Sequence, residues 1–481
     1  DVNKEQDSAN SDNDDSTDNV VLEQKEELKN PNNDETENSE EDIALESIEE
    51  ETSDEPERPD DLVLGDYIES ELDYDTPICD SDYDTYSELP AAFPDDLGSF
   101  YSKYPSARDQ NLYGTCWAFS SIGLAEYDLI NDNSADANVD LSELQLAYFT
   151  YNSVLDPLGG TEGDSAKYYN ENATEPYLNY GGNYAMASRR LAQWCGPVNE
   201  TDVPYSQASN TISNGLDESY AYGYDEAHLE NTYLINIKEN TDDVKQQIME
   251  HGAAGVMYYH DDKYFGWNST LGKYTYYDSE KTGGGHAVMI VGWDDNFSKD
   301  NFTGNAKPSG DGAWLVRNSW GYYANYFWMS YETNSLADTA WVFDFSADDE
   351  YDNNYQLDGG IQAYPDKEHN VLANIFKTKQ SEDVATETLS AVSLSFTQAA
   401  NVHYTVEVYT DLENESDPYS GVKQENATTS GETSYAGAYT IPLENAVTLE
   451  PGTSFAVVVK VDSAVLDYEQ AMSVATGENL T

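Results

Sequence analysis

Cysteine and positive charge are what this 481-residue sequence has least of. Its three cysteines, Cys79, Cys116 and Cys195, are too few for a disulfide scaffold, and an odd count leaves at least one thiol free even if two pair. Lys and Arg number 22 against 93 Asp and Glu, a formal net charge of -71. Phosphate backbones and anionic lipid surfaces repel such a chain, so neither nucleic acid nor a membrane surface is expected as a partner. Long apolar runs are also missing. The longest, around Ala287 to Val291, is strand-sized and far short of the roughly 18 residues that span a bilayer.

What is present falls into three textures. Residues 1–87 are dominated by Asp, Glu, Asn and Ser and cannot bury enough surface to offset chain entropy, so they read as a disordered acidic segment with one short helix near Ile43 to Ile48. The functional alternative for this stretch is a pro-segment that masks a site. From residue 88 to 347 Trp, Tyr, Phe and Gly become frequent. Ala118, Ile122, Ala125 and Leu129 recur at helical spacing after Cys116, whereas "HAVMIVGW", "AWLVRN" and "YFWMSY" read as strands, which predicts an α+β domain whose halves meet at a cleft. Residues 348–475 alternate instead: Val402, Tyr404, Val406 and Val408, then Phe455, Val457, Val459 and Val461, with turn signals between them, predict an antiparallel β-sandwich.

Cys116 opens the predicted helix, where unpaired backbone N–H groups favour a thiolate, and a thiolate is the nucleophilic form of cysteine. It still needs a base. Of six histidines, His286 alone is delivered by a glycine run to the mouth of an apolar strand; His228, His251, His260, His369 and His403 stand in polar or strand-exposed settings. "WLVRNSWG" supplies Asn318 to orient an imidazole and Trp320 to shield that hydrogen bond. Gln110 and the Cys116 backbone N–H can donate to a developing oxyanion.

These pieces resemble the papain family of cysteine peptidases: "QNLYGTCWAF", "HAVMIVGW" and "NSWG" occur in the family's order, over about Pro90 to Tyr331. The resemblance implies a two-lobed papain-like fold, with a helical half and a β half, and endopeptidase activity that needs no metal or cofactor. In it Cys116, His286, Asn318 and Gln110 are the catalytic residues. Gly181 and Gly182 in "YGGNYAM" bind the substrate backbone, and Trp117 and Trp320 complete the substrate site. Tyr113 and Asn179 stand where family members often carry a bonded cysteine pair, so that disulfide is lost as a unit. A Cys79–Cys195 bond and two reduced buried thiols both remain open. The polar excursion between His286 and Asn318 reads as a loop that swings away from the cleft or rims it. The last region resembles the lectin-like β-sandwich that accompanies such peptidases in secreted bacterial proteins. That likeness implies an extracellular or cell-surface setting, protein or peptide substrates, and a carbohydrate or cell-surface ligand for the sandwich. An idle adhesin on a peptidase scaffold, and an acyl-transferring transglutaminase, are the rival readings; the intact Gln110, Cys116, His286 and Asn318 set disfavours the first and Asn318 the second.

Overall fold

The computed structural model describes residues 54–80, 89–164, 168–169, 176–347, 351–360, 363–380, 386–463, 465–468 and 475–476. The short helix expected near Ile43 to Ile48 lies outside these residues. Helices α1 (Leu97–Lys103), α2 (Cys116–Asn131), α3 (Glu143–Tyr151), α4 (Tyr184–Ala192), α5 (Ala208–Asn214) and α6 (Thr241–His251) come first, interrupted late by strands. Residues 116–130 of α2 are all buried, which is why its sequence is apolar around nearly the whole circumference rather than along one stripe. Its N-cap, Thr115, makes no capping bond to the helix, because its hydroxyl is engaged with the Tyr205 hydroxyl at 2.6 Å. The Ala118 N–H donates to the Thr115 carbonyl at 2.9 Å, and the Trp117 N–H faces the Cys116 sulfur.

The β half contains β1 (His228–Asn236), β2 (Ala254–His260), β3 (Phe265–Asn268), β4 (Lys273–Tyr276), β5 (Gly284–Asp294), β6 (Ala313–Arg317), β7 (Tyr326–Ser330) and β8 (Leu336–Ser346). Along the sheet the order is β1, β8, β2, β5, β6, β7, β4, β3. Both faces are covered. Met257, Ala287, Met289 and Leu315 pack toward α2, while Val256, Val288, Ile290 and Val316 pack into a second core that includes Val244 and Ile248 of α6. This two-sided burial explains the unbroken apolar run of β5. The excursion between β5 and β6 lies against the β3–β4 hairpin, where Asn268 donates to the Asn301 carbonyl at 2.8 Å and Phe302 is buried.

The C-terminal region adds β9 (Val371–Lys377), β10 (Glu387–Phe396), β11 (Val402–Thr410), β12 (Val422–Lys423), β13 (Thr429–Thr433), β14 (Ala436–Leu449) and β15 (Ser454–Val461). One layer runs β9, β15, β11, β12, with β13 also paired to β11; the other is the β10–β14 pair. Leu394, Phe396, Val406, Val408, Phe455 and Val457 fill the space between them, as the alternation in the sequence predicts. The first residues of β14, Ala436–Tyr439, pair antiparallel with Leu234–Asn231 of β1, so β10 and β14 extend the sheet of the β half directly. Composition alone does not reveal that continuity.

All three cysteines are buried, and no disulfide joins Cys79 to Cys195. Residues 54–80 depart from the disordered acidic segment expected for 1–87. They cross the body of the protein as a strap, with Tyr67, Asp73 and Cys79 buried, and carry one short capped turn at Glu71–Asp73.

Candidate active site

Antiparallel pairing of β5 with β6 sets Met289 opposite Arg317. The beginning of β5 and the segment just after β6 are thereby brought to the same end of the sheet, and His286 meets Asn318 there. The His286 Nε2–H donates to Asn318 Oδ1 at 2.8 Å, and the Ser319 backbone N–H donates to the same oxygen at 2.8 Å. The second bond fixes the amide so that its oxygen, not its nitrogen, faces the imidazole. Trp320 stacks on the His286 ring with centroids 4.8 Å apart and a 20° tilt, and both residues are buried. Water is excluded from the His286–Asn318 bond, as the sequence order Asn-Ser-Trp-Gly suggests.

Cys116, at the first residue of α2, faces the other imidazole nitrogen. Sγ accepts from the Ala287 N–H at 3.5 Å, and His286 Nδ1 has no hydrogen-bond partner among the described residues. Sγ and Nδ1 both lie close to one point: a Cβ placed on Gly65 of the strap would sit 2.7 Å from the sulfur and 2.6 Å from Nδ1. Gly65 has φ +118°, which a side chain also disfavours. Burial pushes the Cys116 thiol up to about 11, opposed by the backbone N–H groups of Ala287, Asp66 and Trp117. Burial also lowers His286 to about 3, opposed by Asn318. With the strap in place the pair is a neutral thiol beside a neutral imidazole.

Gln110 is fully buried next to this pair. Its Nε2 donates to the Tyr113 carbonyl at 2.9 Å, its Oε1 accepts from Ser319 Oγ at 2.7 Å, and its backbone N–H donates to the Ser319 carbonyl at 2.9 Å. Gln110 and Asn318 therefore share one hydrogen-bonded turn. Gly181 and Gly182 lie along the strap: Gly182 N–H donates to the Asp66 carbonyl at 3.2 Å and the Ile68 N–H donates to the Gly182 carbonyl at 2.9 Å. A side chain on Gly182 would overlap the Trp117 indole, which packs beneath it, and one on Gly181 would overlap the Asp66 carbonyl. Where the resemblance leaves no cysteine pair, Asn179 Oδ1 accepts from the Gly114 N–H at 3.1 Å and ties the same two loops together.

Two sets of residues escape a reading of the sequence. The strap segment "LGDYI" is an apolar island with one glycine inside an acidic stretch, and the averaged composition of residues 1–87 hides it. His260, grouped with the polar histidines, is 1% exposed and packs edge-on against Trp320 at 5.1 Å. The signal for it was position: it ends the apolar strand "AGVMYYH" directly before two aspartates.

A cysteine at a helix start, a histidine beside it and an asparagine bonded to that histidine are the set of groups that thiol-dependent hydrolysis uses. Residues 99–344, just over half the chain, match the papain family cysteine proteases, and the chain belongs to that family. Residues 354–480 match a lectin-like domain. A cysteine protease from Blomia tropicalis is 25% identical over 241 residues, 49% of this chain and 59% of that protein. A cathepsin B-like cysteine proteinase from Caenorhabditis elegans is 23% identical over 256 residues, 50% of this chain and 64% of that protein. The chain thus spans under two thirds of the length of these relatives. Among solved structures, the clostridial cysteine protease Cwp84 after propeptide cleavage superposes with a TM-score of 0.58 at 26% identity, covering 79% of this chain and 88% of that one. The protease and lectin-like domains of Cwp84, described as a surface layer associated protein of Clostridium difficile, superpose with a TM-score of 0.60 at 24% identity over 84% of both chains.

Proposed function

We propose that this protein is a cysteine endopeptidase held latent by its own strap. Cys116 attacks the scissile carbonyl, His286 takes the thiol proton and passes it to the leaving amine, and Asn318 keeps the imidazole aimed at sulfur. Gln110 and the Cys116 backbone N–H receive the oxyanion, and water attacking the thioester, deprotonated by His286, releases the acyl product. The observation that carries this reading is the shared point between Sγ and Nδ1, with the opposite imidazole nitrogen on Asn318 at 2.8 Å.

Gly65 backs onto that point, and the strap continues as an extended segment on the Gly181–Gly182 edge, the manner in which a peptide would bind. The Asp66 backbone N–H faces the sulfur, so the Gly65–Asp66 peptide of the strap lies over the nucleophile. Removing it readmits water and polar substrate groups, which lowers the thiol and raises the imidazole toward the thiolate–imidazolium pair. Protein or peptide substrates and a cell-surface setting follow from the same reading, with the lectin-like domain offering a carbohydrate or surface ligand a place to bind. Incubation with an epoxysuccinyl thiol-protease probe after limited proteolysis of the strap tests it. Mass mapping should find the label on Cys116 and none on Cys79 or Cys195; a folded, reduced sample that stays unlabelled at Cys116 overturns the reading.

A further inference from the structure

The catalytic imidazole is held on both sides by aromatic rings, and one buried histidine outside the catalytic set touches both of them. Trp320 stacks on one face of His286, and Tyr258 meets it with centroids 5.8 Å apart at 64°. His260 packs edge-on to Trp320 at 5.1 Å, and its Nδ1 lies 2.9 Å from the Tyr258 hydroxyl. Its Nε2 lies 3.0 Å from Asp262 Oδ1, and Asp262 also pairs with Arg58 of the strap at 2.7 Å. Tyr276 stacks on the His260 ring at 5.5 Å, so the imidazole is enclosed.

Both nitrogens of a side chain that is 1% exposed are therefore partnered, an arrangement that leaves little freedom for the ring to turn. The carboxylate selects the tautomer with the proton on Nε2, which leaves Nδ1 to accept from the Tyr258 hydroxyl. We propose that His260 is a positioning residue for the catalytic imidazole: clamped between Asp262 and Tyr258, its neutral ring locks Trp320 and Tyr258 against His286 in the orientation that reaches Asn318 and Cys116 together. This inference rests on the peptidase reading.

The ring must also stay uncharged. The titratable and charged groups that face it are Tyr258 on its own strand, Tyr276 across the sheet, Asp261 and Asp262 in the following turn, Arg58 from the strap and His286 itself. A cation at His260 opposes a second one at His286, and burial holds His260 below the ordinary histidine range against the pull of Asp262. The acid limb of activity should then include the charging of His260.

The full chain carrying His260→Phe, which keeps a ring and removes both hydrogen bonds, tests this beside Asp262→Asn. Asp262 is half exposed, so its variant keeps the test alive where the first does not fold. Two readouts are compared with the unaltered chain: the side-chain nitrogen-15 resonances of His286, and the pH profile of kcat/KM on a fluorogenic peptide after strap release. The expected result is a change in the His286 tautomer signals, a fall in kcat/KM on the order of 10-fold to 10²-fold carried by kcat, and an acid limb moved to lower pH. Unchanged His286 resonances in both variants overturn the proposal. If the unaltered chain cleaves nothing, the peptidase reading fails separately, and the resonances still decide the role of His260.

Discussion

Cys116, His286 and Gly65 meet at one point, and the absence of a methyl group on Gly65 decides whether the strap can lie there. Gly65→Ala would drive a carbon into both the thiol and the imidazole and would impose φ +118° on a residue with a side chain. The strap should be displaced while the catalytic residues are untouched, so epoxysuccinyl labelling of Cys116 in the full-length variant should proceed at least about tenfold faster than in the unaltered chain. Equal rates would show that the strap does not control access. The proximity of Cys116, His286 and Asn318 could be anticipated because each sits in a short motif whose neighbours pack beside it: Trp117 supports Gly182, and Ser319 fixes the Asn318 amide. His260 was hard to read, because its partners Trp320 and Tyr276 come from other segments and its own segment offers only its place at the end of an apolar strand.

The strap acts as an element whose seating depends on protons. Tyr67 inserts its ring beside Tyr184, its N–H donates to the Gly285 carbonyl at 3.2 Å, and its hydroxyl donates to Asp73 Oδ1 at 2.8 Å. Asp73 is 1% exposed with no cation among the described residues against it, and burial raises its pKa to about 7, partly offset by the Ser70 N–H and the Tyr67 hydroxyl. A carboxyl group raised in the seated state binds a proton more tightly there than when released. Its contribution to seating is therefore full below the ordinary value of 3.8 and is lost as pH rises through about 7. Strap release, followed by protease sensitivity of residues 54–80, should be faster at pH 8 than at pH 6, and Asp73→Asn should flatten that difference. Release that is faster at pH 6 would contradict the account. At this scale α2 and β5 were readable from apolar periodicity, whereas the strap was not, since its order comes from a cleft built by residues more than a hundred positions away.

Across the whole molecule, peptidase and lectin-like regions share a sheet: Ala436–Tyr439 of β14 cover the outer edge of β1. The fold class could be read from the change in rhythm, but a hydrogen-bonded seam between strands about 200 residues apart leaves no periodic trace. A chain ending at residue 347 would expose the β1 edge, so it should melt at least about 5 °C lower and aggregate more readily than the full chain. Coincident melting curves would show that the seam contributes nothing. Latent thiol-dependent peptide hydrolysis, the central claim, is tested most directly by turnover of a peptide library by three full-length chains side by side. The account predicts slow cleavage by the unaltered chain, faster cleavage by Gly65→Ala, and none by Gly65→Ala combined with Cys116→Ala; cleavage that persists without Cys116, or a folded Gly65→Ala chain that cleaves nothing, would contradict it.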